Sequence, residues 1–157
     1  MKQISTSFLK IAIILIGGAV LSGLIFFPQT EGRAKDLDLI SIYLDPFILY
    51  IYIASLAFFA ALFQAIKLLG FVENNNIFSP AAVHAVRHIK YCGVAMIGFI
   101  VGAQVFIMFT GEEDKAGPIA MGIYITILTC VVIAAADICE RLLKNTISTK
   151  SKKVLTI

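Results

Sequence analysis

Four stretches of this chain are almost wholly apolar and carry no acidic or basic side chain: Ile11–Phe27, Pro46–Phe63, Tyr91–Phe109 and Gly117–Ala136. At about 1.5 Å rise per residue, a helix of roughly 17 to 20 residues is about as long as a bilayer's hydrocarbon core is thick. A soluble domain of this size holds about a quarter charged residues. This chain holds 15%, with 59% hydrophobic residues. The expectation is an all-α integral membrane four-helix bundle, a single domain over residues 1–157, with spans at about 9–27, 46–69, 89–109 and 117–139. The first run follows Lys2 and Lys10, as a secretory signal would, but "FFPQTEGRAKD" lacks the small-x-small cleavage pattern and the run is long for a signal core.

Basic residues distribute unevenly about these spans. One side receives Lys2, Lys10, Lys67, Arg87, Lys90, Arg141, Lys144, Lys150, Lys152 and Lys153, ten of the 13. The other receives Arg33, Lys35 and Lys115 with seven of the ten acids, Glu31, Asp36, Asp38, Asp45, Glu112, Glu113 and Asp114. The positive-inside rule then predicts both termini and the Glu73–Lys90 connection in the cytoplasm.

Local signals agree. Asp45-Pro46 is an N-cap acid before a proline at the first helical position, closing an outer loop over Pro28–Leu44. Gly70 is the expected stop of the second long helix, before the turn "ENNN". "TGEEDKAGP" is a short second outer loop that makes the last two spans antiparallel neighbours. Tyr43, Tyr50 and Tyr52 near one boundary and Tyr91 near the other read as an interfacial belt without function. Helices in lipid associate through small residues, so Gly98/Gly102 and Gly18/Ser22 are candidate packing faces, within one chain or between copies of a homo-oligomer.

Polar groups inside spans point to function because each is costly unless paired or wetted. Gln104 lies at a depth similar to Tyr50 and Tyr124, which predicts an interhelical hydrogen-bond cluster. Lys67 and Asp137 sit at the cytoplasmic ends of their spans, as an ion pair or each reaching the headgroups alone. No span carries a midplane carboxylate, as a proton-coupled carrier requires. No H-E-x-x-H, G-x-S-x-G or phosphate loop is present, so neither catalysis nor a cofactor is expected. Cys92, Cys130 and Cys139 form no C-x-x-C pair.

The stretch "HAVRHIK" is the one chemically suggestive segment. His84 and His88 share a helix face at i, i+4, but a structural metal site wants four ligands and Arg87 beside them repels a cation, so no metal is assigned. One Arg and one Lys without a stacking platform make a thin footprint for nucleic acid, and no direct contact with it is expected. Val83, Val86 and Ile89 form an apolar stripe opposite His84, Arg87, His88 and Tyr91. Residues 80–90 are therefore read as an amphipathic foot on the membrane surface. With the tail at 140–157, Arg87, Lys90, Arg141, Lys144, Lys150, Lys152 and Lys153 form a basic cytoplasmic face, for anionic lipid or for an acidic soluble partner.

"NIFSPAAVHAVRHIKYCG", the "LLKNTIS" segment and the terminal "LTI" resemble the bacterial domain-of-unknown-function family 2975. Members carry acidic residues just before that end, where this chain has "TKSKKV", which leaves the tail basic. The family has no established activity. The resemblance implies four spans and an association with a very small helix-turn-helix regulator. It suggests a regulatory or sensory membrane protein, with an envelope-protection or immunity-type protein and a small oligomeric transporter or channel as alternatives.

Overall fold

A computed structural model describes residues 2–30, 38–109 and 116–156. Its order is α1 (Lys2–Thr30), the short α2 (Leu39–Tyr43), α3 (Pro46–Glu73), α4 (Pro80–Phe109) and α5 (Ala116–Leu155). The fold is all-α. Four of these helices are long and apolar enough to cross a membrane, and they assemble as an antiparallel bundle. Packing follows chain order, α1 on α3, α3 on α4 and α4 on α5; among the described residues no interface of comparable size joins α1 to α4 or α5. Large apolar side chains such as Phe8, Leu15, Leu56 and Leu128 face outward. Lipid is as apolar as they are, so burying them against protein gains little.

The ends of the elements follow local chemistry. Asp45 caps α3, its carboxylate accepting from the Phe47 N–H at 2.8 Å, with Pro46 as the first helical residue. Ser79 does the same for α4 through the Ala82 N–H at 3.3 Å. Gly70, the expected stop, lies inside α3. The helix ends instead at Asn74, where Asn75 turns to φ 52. The Asn75 N–H then donates to the Val72 carbonyl at 3.2 Å and the Asn76 N–H to that of Phe71 at 2.8 Å. That pair of bonds is a Schellman stop, and asparagine tolerates the left-handed conformation it requires.

The expected outer loop over Pro28–Leu44 is partly helical, since α1 runs through Pro28 to Thr30 and α2 follows at Leu39. The charges placed there, Glu31, Arg33, Lys35 and Asp36, lie outside the described residues, as do residues 110–115 with Glu112, Glu113, Asp114 and Lys115.

Pro28 is fully buried within α1. Having no N–H, it leaves the Leu24 carbonyl four residues back without its helical donor. The Tyr52 hydroxyl of α3 donates to that carbonyl at 3.0 Å, and Tyr43 donates to the neighbouring Ile25 carbonyl at 3.0 Å. Tyr50 donates to the Phe99 carbonyl of α4 at 2.8 Å. These tyrosines clasp helices together, a role beyond the interfacial belt. Tyr52→Phe is expected to lower stability in detergent by about 0.6 kcal/mol, the average for interhelical hydrogen bonds in membranes, or more. The excess would reflect a carbonyl that Pro28 leaves with no substitute donor, and thermal unfolding compared with Tyr91→Phe checks it.

Candidate functional site: a charged clamp on a helical stalk

The most enclosed part of the chain lies where α4 begins and α5 leaves the span region. Val83 and Val86 of α4 pack with Ala136 and Leu143 of α5, and Leu68, Ile77, Ile89 and Ile147 close around them. Residues 80–90 therefore do not lie as a foot on a membrane surface. They continue the third span as one unbroken helix, and the predicted apolar stripe is covered by α5. The physical reason is that α5 also continues, so the two extensions bury each other's apolar faces, and beyond the bilayer water drives that burial.

Ala136, Glu140, Leu143 and Ile147 recur at helical spacing on the α5 face that meets α4. One member of this apolar stripe is thus a carboxylate, and the Glu140 side chain is 5% exposed. It is fully engaged. Arg87 Nε donates to it at 2.9 Å, Lys90 Nζ at 2.8 Å and Lys144 Nζ at 2.7 Å. Asp137, one turn earlier, accepts from the same Lys90 at 3.0 Å and from Arg141 Nε at 2.8 Å. Arg87 and Lys90 thus bridge α4 to two carboxylates of α5, and Arg141 and Lys144 add pairs within α5. Glu140 lies just past the fourth span. The hydrogen bonds from Lys144, Lys90 and Arg87 bring its carboxyl down from 4.5 to about 2, against the opposing push of burial. It stays ionised at any physiological pH, which suits a fixed clamp rather than a proton carrier.

Of the two alternatives for Lys67 and Asp137, the ion pair does not form. Asp137 is held by Lys90 and Arg141, whereas the Lys67 ammonium lies 5.6 Å from the centre of the Phe63 ring. Four of the seven cations assigned to an open basic face, Arg87, Lys90, Arg141 and Lys144, are committed to the clamp. Lys150, Lys152 and Lys153 stand exposed on the last turns of α5. His84 and His88 are exposed and line a groove against α3 with Gln64 and Lys67. Among the described residues no group of three or more His, Cys, Asp and Glu could hold a metal ion.

The expected cluster of Gln104, Tyr50 and Tyr124 is not assembled either. Gln104 donates to the Pro118 carbonyl at 3.3 Å, Tyr50 reaches α4 elsewhere, and Tyr124 is exposed. The two polar side chains use opposite sides of α4: Tyr50 sits over Gly102, and Gln104 fills the space over Gly122 of α5. Gly102 is thus a contact glycine as expected, but nothing lies within 4 Å of a Cβ placed at Gly98 or Gly18. Ser22 turns back to the Gly18 carbonyl of its own helix at 2.9 Å. Close approach occurs at Gly17, where an added Cβ would meet Leu62 at 3.2 Å, and at Gly93, where it would meet Ile133 at 2.7 Å.

Glu140 is not among the charges inside the expected spans, because it lies one residue beyond the last one. Its signal was the i, i+4 spacing of Asp137–Arg141 and Glu140–Lys144, opposite the i, i+3 pair Arg87 and Lys90.

The family model described as "Protein of unknown function (DUF2975)" matches residues 29–157. The "Uncharacterized membrane protein YoaS" of Bacillus subtilis (strain 168) is 35% identical over 160 residues, covering 100% of each chain. No solved structure matches.

Proposed function

This chain belongs to the family of membrane proteins of unknown function described as DUF2975, and from that premise we propose a non-enzymatic regulatory or sensory role at the bacterial cytoplasmic membrane. In this reading the termini and the stalk are cytoplasmic, as the basic residues favour. The partner is a small helix-turn-helix regulator of the kind the family resemblance implies.

The observation that carries the reading is the last part of α5. The helix packs as far as Ile147 and then continues to Leu155, with Lys150, Lys152, Lys153, Val154 and Leu155 all exposed. About two turns of basic, apolar-tipped helix thus project from a base clamped by Glu140. Such an arm suits an acidic groove on a soluble protein, with charge steering the encounter and the apolar tip adding contact area.

The test uses the full chain in phosphatidylcholine nanodiscs, which removes anionic lipid as a competitor, and the purified regulator as the probe. Binding is expected to weaken with salt. At about 1 kcal/mol per cation near a charged surface, reversal of Lys150, Lys152 and Lys153 to Glu is expected to weaken it more than tenfold. If the unmutated protein binds no regulator, or the reversed one binds equally well, the reading fails.

A further inference from the structure

A groove of about 340 Å³ runs between α3 and α4 at the base of the stalk. Gln64, Lys67 and Phe71 line it from α3, and Ala81, His84, Ala85 and His88 from α4. The spacing explains why it exists. Residues 64, 67 and 71 share one helix face, as do residues 81, 84, 85 and 88, and the two alanines leave room where longer side chains would close the gap.

Its chemistry is one-sided. Lys67 offers an ammonium, Gln64 an amide N–H₂, and each imidazole at least one N–H, while no carboxylate lines the wall. Other cations near the groove have acidic partners: Lys10 pairs with Glu73, and Arg87, Lys90, Arg141 and Lys144 pair within the clamp, while Lys150, Lys152 and Lys153 stand exposed farther along α5. Lys67, His84 and His88 reach no carboxylate among the described residues. The walls thus bring four donor-bearing side chains to one groove with no carboxylate among them. The volume falls at the small end of ligand sites.

Depth identifies the ligand. Gln64 and Lys67 occupy the last turns of the second long span, and His88 immediately precedes the third. The groove therefore opens at the level where lipid headgroups lie, and basic recesses between spans at that level take anionic headgroups. We propose that this groove binds the phosphate of an anionic lipid headgroup, with Lys67, His84 and His88 as its donors and Phe71, Ala81 and Ala85 as its apolar floor. The proposal is independent of the regulator reading, since it uses none of the α5 lysines.

Native mass spectrometry of the full chain, titrated in detergent with phosphatidylglycerol, phosphatidylcholine or inorganic phosphate, tests it. One phosphatidylglycerol is expected to be retained in preference to phosphatidylcholine. Loss of a charged hydrogen bond predicts about tenfold weaker retention in Lys67→Gln, with a further loss in the His84→Gln, His88→Gln double variant. Lys67→Arg, which keeps the cation, retains the lipid. Ala81→Leu fills the groove without changing charge and is expected to lose it, which separates a shaped site from diffuse attraction. Circular dichroism confirms that each variant is folded. No preference for phosphatidylglycerol, or undiminished retention in the Lys67→Gln and Ala81→Leu variants, overturns the site. Equal competition by inorganic phosphate overturns its assignment to lipid.

Discussion

Glu140→Leu is expected to release the stalk while leaving the four spans inserted. The substitution suits the apolar stripe sterically, yet it removes the acceptor shared by Arg87, Lys90 and Lys144. Hydrogen bonds to charged groups contribute about 1.5–3 kcal/mol each, and exposed pairs much less. The Lys144 side chain is 50% exposed, so its bond is discounted, and Lys90 keeps Asp137. The expected net loss is about 2 kcal/mol, concentrated between α4 and α5. Amide hydrogen exchange should show faster opening of residues 80–90 and 140–147 with unchanged protection in the spans. Unchanged exchange at the stalk would mean that the apolar stripe alone holds the two helices.

The same bond set gives the clamp a direction with pH. The Glu140 carboxyl is held at about 2, below its ordinary 4.5, so folding binds fewer protons than unfolding in that range. The stabilisation is complete above pH 4.5 and is lost as pH falls toward 2. Stalk exchange should therefore be flat from pH 8 to 5, after correction for intrinsic rates, and rise below. Glu140→Gln should reduce the dependence under pH 4.5, because its amide does not titrate there, leaving the part that Asp137 carries through Lys90 and Arg141.

The spans and the cap at Asp45 are legible in sequence because each depends on composition or on a contact within a few residues. Lateral pairing was not. Gln104 and Tyr50 lie at similar depth, and depth is all that a sequence gives; the side of α4 each one uses depends on helix rotation, which Gly102 and Gly122 set by admitting one side chain apiece. Gly98 and Gly18 have the spacing of contact residues yet meet nothing, whereas Gly93 has no such partner in sequence and lies against Ile133 of α5. Spacing says which residues share a face and leaves open which face is covered. Asn75 shows the reverse case. Glycine is the usual left-handed residue, which points to Gly70 as the stop, although Asn75 supplies that conformation.

The amphipathic segment carries the largest consequence, because a surface foot and a packed stalk share one sequence pattern. Val83, Val86 and Ile89 would face lipid in the first arrangement and α5 in the second. Val86 distinguishes them, being among the most deeply buried side chains described, at 2% exposed. Val86→Asp places a carboxylate among Val83, Ala136 and Leu143, where neither water nor a designed partner reaches it. A polar group buried without a hydrogen bond costs roughly 2 kcal/mol or more, and an ionised one costs further until it protonates. The expected loss is at least about 3 kcal/mol when the missing valine packing is added. Asn145→Asp makes a comparable charge change at an exposed position of the same stalk and should stay within about 0.5 kcal/mol. Limited proteolysis in detergent reads the difference: Val86→Asp should open cleavage at Arg87, Lys90, Arg141 and Lys144 while the spans remain intact, and Asn145→Asp should not. A foot resting on lipid predicts another outcome, in which detergent already exposes those bonds in the unmutated protein and Val86→Asp changes nothing.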